Sequence, residues 1–343
     1  MRSAGVVATL VGLLGAGAGL GQAPAGTGIT EQLEVREVGV LADLPAELRG
    51  KPAAELASLL VVLEDGAARE LSAIQPLAPP GAPAFGSVHV AFDALHCSPE
   101  VVERGALALG AAAAELTGLG PVSLAEEAAS DPFAPAPATG DAEALARRLL
   151  ARARAGCPRP GTGAARLPET MPCPAPPCLL IWVSSGWGSG PAIEAALAGV
   201  EPAARSLAAS GWTVLGLAPV EAQAPTGHGR EPESRPGDDR SSWTVDLLDP
   251  GNERSSPRSD ADYRRHVELE MAPLRRVVAA TIGALVTRAD RLAGALEALR
   301  GRSLVFYRTD RAPGGGPVPL EVRERREGGA RLRVAEWAPA LRP

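Results

Sequence analysis

The sequence predicts an α/β protein with a doubly wound, mainly parallel sheet and antiparallel β additions at both ends of the chain. Short apolar runs alternate with helical segments through the middle of the chain, which is typical of parallel strands joined by right-handed crossovers. The segments before and after this region contain strand-like runs separated by turn residues. With 343 residues, the chain is long enough for about two or three structural units.

The first 25 residues have the order of a secretory signal peptide. Arg2 precedes an apolar run from Val6 to Leu20, and small residues suited to cleavage follow at 21–25. We therefore expect an exported protein, periplasmic or secreted. The alternative is an uncleaved membrane anchor, because the apolar run is close to the lower length limit for spanning a bilayer.

Residues 29–76 are predicted to form an N-terminal β segment. Leu59–Leu63 is an apolar run typical of a buried strand, and Arg69–Ile74 is predicted as its returning partner. Between them, Asp65 and Gly66 predict a tight turn because both residues tolerate positive φ angles.

The α/β core is predicted over residues 86–220 and is completed by helices over 262–300. A polar, proline-bearing stretch at 221–261 is predicted as a flexible excursion. In chain order, the predicted core elements are a strand at 88–93, a helix from Ser98 to about Leu116, a strand at 121–124, a helix at 141–155, a strand at 178–183, a helix at 192–209 and a strand at 212–217. The last segment, residues 301–343, is predicted as an antiparallel meander of three strands.

Several segments, in this order, resemble a bacterial family of von Willebrand factor type A-related proteins. They are Leu63–Gly66, Val90–Leu95, Leu180–Gly186, and Tyr307 with the closing strands and Trp337. The resemblance implies a functional site at the carboxyl ends of the parallel strands. In the family pattern this site holds magnesium or manganese through an Asp-x-Ser-x-Ser loop, together with a Thr and an Asp from other loops.

This chain departs from the metal-binding pattern of that family. The first loop begins with Asp93, but Leu95 and Cys97 replace the two serines, and Ser185 stands where the second loop would supply an Asp. Because the hard oxygen ligands are missing, we expect no metal ion and no cofactor. The candidate binding residues are Asp93, Ser185 and Trp187, the last as an exposed aromatic anchor in a glycine-rich loop.

Other chemistries have weaker support in the sequence. The net charge of −6 argues against a nucleic-acid partner. The loop Gly186–Gly190 lacks the third glycine of a dinucleotide fingerprint, because Pro191 occupies that position. Ser184, Ser185 and Ser189, in and just before this loop, do not fit the nucleophile elbow of a serine hydrolase.

The four cysteines allow three disulfide pairings in an exported protein. Cys157 and Cys173 flank a Pro/Gly-rich loop that they could close, and Cys173 and Cys178 are themselves separated by four residues. A zinc site would need further ligands, and no Cys-x2-Cys pair is present.

The sequence thus favours an exported, non-catalytic protein-interaction module whose partner is another protein. Two alternatives stay open. One is a hydrolase of unknown substrate that uses the strand-end crevice, and the other is a structural envelope protein anchored in the membrane by its N-terminus.

Overall fold

The fold is seen in a computed structural model that describes most of the chain after its first 35 residues. The described ranges are 36–49, 51–79, 82–93, 98–125, 137–157, 171–186, 191–219, 269–312, 316–326 and 329–338. The predicted signal peptide, the polar excursion at 221–261 and Trp187 lie outside these ranges. From Val35 onward, the chain forms a single structural unit.

Strands and helices are numbered in chain order over the described residues. The strands are β1 (Arg36–Asp43), β2 (Leu60–Glu64), β3 (Ala67–Arg69), β4 (Leu71–Pro76), β5 (Ser87–Phe92), β6 (Val122–Leu124), β7 (Ala138–Thr139), β8 (Cys178–Val183), β9 (Trp212–Leu217), β10 (Ala284–Val286), β11 (Ser303–Thr309), β12 (Val318–Glu324), β13 (Arg333–Val334) and β14 (Trp337–Ala338). The α-helices are α1 (Ala53–Leu59), α2 (Pro99–Ala111), α3 (Ala113–Leu119), α4 (Ala142–Ala155), α5 (Pro191–Ala209), α6 (Ala272–Ala280) and α7 (Leu292–Arg300), and a 3-10 turn spans Ala289–Arg291.

A six-stranded sheet forms the α/β core, with the order β10-β9-β8-β5-β6-β7. Every neighbouring pair is parallel except β6 with β7, which is antiparallel at one edge. All six residues of β8 and all six of β9 are buried, as expected for strands covered on both faces. The predicted α/β class with a mainly parallel sheet is therefore confirmed.

Helices cover both faces of this sheet. Leu109 of α2, Leu145 of α4 and Leu296 of α7 belong to a hydrophobic cluster on one face. Leu207 of α5 and Leu274 of α6 belong to a cluster on the other face. The apolar stripe of each amphipathic helix is thus buried against a strand surface.

Within the same structural unit, two four-stranded antiparallel sheets pack beside the α/β core. We call them the β-sandwich because their inner faces share one hydrophobic cluster. One sheet has the order β13-β1-β11-β4 and the other β14-β12-β2-β3. The predicted N-terminal and C-terminal β additions are therefore parts of one structure. Val62, Val305, Tyr307 and Val322 are fully buried in its core.

The predicted C-terminal meander is correct only in its second half, because β12 forms an antiparallel hairpin with the segment that follows it but does not pair with β11. β11 pairs with β1 and β4, whereas β12 pairs with β2 and β14, so the closing strands enter different sheets. Turn residues show where a chain reverses, but they do not select the pairing partner. Strands pair where their apolar side chains become buried, and here the buried side chains lie between two sheets that mix both chain ends.

Three further differences concern helices. Helix α1 was not predicted, the predicted helix at 98–116 is interrupted at Ala112, and β10 lies within the predicted helical stretch at 262–300. A segment of three residues such as Ala284–Val286 is too short to show the hydrophobic periodicity of a strand or a helix. Their strand conformation follows from pairing with β9 at the edge of the sheet.

The tight turn predicted at Asp65 and Gly66 is confirmed, and the predicted helix at 141–155 is present as α4. Asp65 and Gly66 connect β2 to β3 with φ angles of 51° and 77°. Asp141 caps α4, where its side chain accepts hydrogen bonds from the backbone N–H groups of Glu143 at 2.9 Å and Ala144 at 3.2 Å. Short-range signals of this kind act within a few residues and need no tertiary contact.

The structure selects among the possible disulfide pairings. Cys173 and Cys178 are joined, with Cα atoms 5.9 Å apart. Because Cys173 is bonded to Cys178, the loop between Cys157 and Cys173 is not closed by a disulfide between them. Cys157 is itself disulfide-bonded. The fourth cysteine of the sequence, Cys97, lies outside the described residues. Among the helices that the structure describes, none has the length and apolar character needed to cross a membrane.

An ion-pair network joins the β-sandwich to the α/β core. Arg276 of α6 donates hydrogen bonds to Glu201 of α5 at 2.8 Å and to Glu336 of the segment before β14 at 2.7 Å. Hydrogen bonds to these two carboxylates raise the pKa of Arg276 above its usual value. Beside it, the Arg205 guanidinium lies 4.1 Å from the centre of the Trp337 ring.

Candidate functional site

The carboxyl ends of β5 and β8 meet at the centre of the α/β sheet. From β5 the chain continues to β6 on one side, and from β8 it continues to β9 on the other. Open α/β sheets bind their ligands at such a switch point, because the two crossovers diverge there and leave a crevice between them. The candidate site is built from the residues that follow these two strands.

Asp93 directly follows β5 and is 6% exposed. Its backbone N–H donates to the carbonyl of Val183 at 2.8 Å, which continues the ladder between the two strands by one residue. Its Oδ2 accepts a hydrogen bond from the Ser184 hydroxyl at 2.8 Å. A buried carboxylate needs such donors, since burial without them disfavours its charged form.

The loop after β8 is fixed by its own contacts. The Ser184 N–H donates to the Leu217 carbonyl at 3.1 Å, and the Ser184 Oγ accepts from the Gly186 N–H at 3.2 Å. Gly186 has a φ angle of 102°, and a Cβ atom there would lie 3.2 Å from the carbonyl oxygen of Glu270. Ser184 thus links Asp93 to a tight turn in which a glycine is needed.

A buried arginine lies close to the same strand end. Arg152 of α4 is 6% exposed, and its guanidinium carbon lies 5.0 Å from the centre of the Phe92 ring. Phe92 immediately precedes Asp93. The site therefore combines a buried carboxylate, a hydroxyl and an aromatic ring stacked against a buried cation.

The predicted site residues have different outcomes. Asp93 lies at the switch point and Ser185 follows the end of β8, partly exposed, but the hydroxyl that donates to the Asp93 carboxylate at 2.8 Å belongs to Ser184. The strand register explains this difference: Phe92 lies opposite Val183, so the next residues along the two strands are Asp93 and Ser184. The sequence pattern showed where both strands end but not how they align.

The described residues offer little for metal or nucleophilic chemistry. No group of three or more His, Cys, Asp or Glu side chains in this part of the chain is arranged to hold a metal ion. The only described histidine, His89, lies within β5, and its Nδ1 is 2.7 Å from the Ser123 hydroxyl rather than near Ser184. The Ser184 hydroxyl donates its hydrogen bond to the Asp93 carboxylate itself. In a catalytic triad, by contrast, a histidine lies between the serine and the carboxylate.

Comparisons with family models, with curated proteins and with solved structures gave no significant match to this chain.

Proposed function

We propose that this chain is an exported, non-catalytic protein-interaction module with a von Willebrand factor type A-like fold. It binds another protein at the rim around Asp93 and Ser185, without a divalent ion. The observation that carries the proposal is the hydrogen bond from Ser184 to Asp93 at the switch point. A protein hydroxyl engages the carboxylate that the family uses for metal, and the loop after Asp93 lacks both family serines.

The strand order supports the doubly wound assignment. Numbered by their sequence within the central sheet, the strands follow the spatial order 3-2-1-4-5-6 from β7 to β10. This order is typical of doubly wound sheets with a ligand crevice at the switch point. The helices on both faces and the short antiparallel edge strand are compatible with the same architecture.

Metal independence is tested by calorimetric titration of the purified mature chain with Mg²⁺ and with Mn²⁺. We expect no saturable heat up to about 1 mM metal, because the loop after Asp93 lacks both family serines and the described residues contain no cluster of metal ligands. Asp93→Asn, which keeps the side-chain shape, is expected to give the same flat titration. Saturable binding that Asp93→Asn abolishes would contradict the metal-free part of the proposal.

Protein binding at the rim is tested by site-specific cross-linking in an exporting bacterium. A photoreactive phenylalanine derivative at Ser185 is expected to give a discrete adduct with one other protein outside the cytoplasm. The control places the same photoreactive side chain at Glu115, which is exposed on α3. This helix leads into the amino end of β6, whereas the rim lies at the carboxyl ends of the strands. No discrete adduct at Ser185, or the same adducts from both positions, would refute the rim as the binding surface.

A further inference from the structure

The disulfide partner of Cys157 follows from counting the cysteines. The chain has four of them, and the structure joins Cys173 to Cys178. Cys157 is disulfide-bonded as well. Because a cysteine sulfur enters one disulfide at a time, the sequence leaves Cys97 as the partner of Cys157. Cys97 lies outside the described residues, but Ser98, which directly follows it, is described.

Cys157 lies at the carboxyl edge of the central sheet, where the candidate site is. Strand β7 runs antiparallel to β6 and brings the chain back to the amino edge, so α4 crosses the sheet toward the carboxyl edge. Near the end of this helix, the guanidinium of Arg152 stacks on Phe92, the last residue of β5. Cys157 follows two residues after the helix ends. It is therefore close to the strand end that Asp93 follows.

Helix α2 starts at the same edge, because it follows the carboxyl end of β5. The carbonyl oxygen of Ser98 accepts the first hydrogen bond of this helix, from the Val102 N–H at 3.0 Å. The helix packs against α4, since a Cβ atom at Gly110 would lie 3.8 Å from the Cβ atom of Leu149. The two helices run in opposite directions, so the start of α2 and the end of α4 lie on the same side. Each of these two ends has one cysteine of the pair next to it in sequence.

We propose that Cys97 and Cys157 form a disulfide that holds the carboxyl edge of the sheet together, and that loss of this bond loosens the edge at Asp93 and Ser184. Asp93 precedes Cys97 by four positions, so the cross-link ties the segment that leaves Asp93 to the end of α4. The bond closes a ring of about 60 residues, and a ring of this size removes much of the freedom of the opened segment.

Formation of this bond requires an oxidant. The two thiols lose two protons and two electrons as the sulfur–sulfur bond forms, and a disulfide of a thiol oxidoreductase accepts them and becomes two thiols. Such oxidants act outside the cytosol, which keeps thiols reduced. The cross-link therefore rests on the export proposed above, but not on which partner the rim binds.

The pairing is tested by disulfide mapping of the full mature chain, purified after export and denatured with an alkylating agent that blocks thiol exchange. Trypsin separates the cysteines into three peptides: residues 70–104 hold Cys97, residues 155–166 hold Cys157, and residues 167–205 hold Cys173 and Cys178. We expect the first two peptides to be joined until they are reduced. A bond between the second and third peptides, or alkylation of Cys97 and Cys157 without reduction, would overturn the pairing.

The effect on the sheet edge is tested by hydrogen exchange at the backbone amides of Asp93 and Ser184. These amides donate to the carbonyl oxygens of Val183 at 2.8 Å and Leu217 at 3.1 Å, so their exchange rates report opening of the edge. The rates are divided by those of the amides of β1 and β11 in the β-sandwich, so that a general loss of stability cancels.

The variant Cys97→Ala with Cys157→Ala is expected to raise this ratio about tenfold, because the opened segment is no longer tied to α4. The matched control, Cys173→Ala with Cys178→Ala, removes the disulfide at the amino end of β8 and should leave the ratio unchanged. An unchanged ratio in the first variant, or an equal rise in both, would overturn the role of the cross-link at this edge.

A measurement on the wild type replaces the first variant if that variant does not fold. Cys157 is partly exposed, whereas Cys173 and Cys178 are buried, so a thiol reductant added to the folded chain reaches the proposed bond first. Reduction followed by alkylation should raise the same exchange ratio. An unchanged ratio after alkylation of Cys97 and Cys157 would contradict the proposal.

Discussion

Glu64→Gln should lower the free energy of unfolding by about 3–5 kcal/mol, as expected when one partner of a buried ion network is removed. Glu64 is 1% exposed at the end of β2. Its carboxylate accepts hydrogen bonds from the Tyr307 hydroxyl at 2.9 Å and the Thr309 hydroxyl at 2.5 Å. It also pairs with Arg69 at 3.1 Å and with Arg311 at 3.3 Å.

A glutamine at this position has one acceptor oxygen for two hydroxyl donors, and it leaves the two arginines without their buried counter-charge. The measurement is urea denaturation followed by circular dichroism, with a matched control at Glu70. That residue lies in the same body, but its carboxylate is 70% exposed and pairs with Arg308 at 3.4 Å. Glu70→Gln should change stability by no more than about 0.5 kcal/mol. Equal effects of the two variants would show that the Glu64 network does not stabilise the fold.

The hydrogen bond between Glu64 and Tyr307 also predicts that the free energy of unfolding depends on pH. Burial, followed by the nearby Glu64 carboxylate, raises the pKa of Tyr307 well above its usual value near 10. A hydroxyl whose pKa is raised on folding stabilises the protein fully below its unfolded pKa and loses this contribution as pH rises. Stability should therefore fall above about pH 10, and Tyr307→Phe should reduce that slope.

Gly283→Ala should destabilise the chain by about 3 kcal/mol or more. A Cβ atom at Gly283 would lie 1.7 Å from the carbonyl oxygen of Val214 and 2.7 Å from its carbonyl carbon. Val214 is part of β9, which lies between β8 and β10 in the sheet, and it cannot move without disturbing its pairing with β8. The Gly283 carbonyl also accepts hydrogen bonds from Arg302 at 3.2 Å and Arg333 at 3.1 Å, so a shift of this turn would disturb those contacts as well.

Gly294→Ala is the matched control, and it should raise the free energy of unfolding rather than lower it. Gly294 is exposed within α7, and a Cβ atom there would meet nothing within 4 Å. Alanine should stabilise the helix by about 0.5–1 kcal/mol, because glycine loses more backbone entropy on folding. Thermal unfolding of both variants against the wild type gives the comparison. A neutral Gly283→Ala would mean that the turn before β10 does not pack against β9 as described.

The sequence by itself determined the elements whose signals are short-ranged and strong. The apolar runs at β8 and β9 predicted buried strands, Asp65-Gly66 predicted the hairpin turn, and the stretch at 141–155 predicted the helix α4. Each of these signals depends on the preferences of a few adjacent residues or on burial of a whole run, so no tertiary information was needed. The alternation of these elements also sufficed to predict an α/β class with a mainly parallel sheet.

The tertiary structure decided which distant segments meet. It joins β1, β2 and β4 with β11 and β12 in one β-sandwich. Glu64 and Tyr307, which stood apart in the sequence as two points of family resemblance, form a hydrogen bond across 243 positions. It also aligns β5 with β8 so that Ser184, the residue before the predicted Ser185, donates a hydrogen bond to Asp93. Turn and strand signals do not encode partner or register, because both depend on which apolar faces become buried together once the chain is compact.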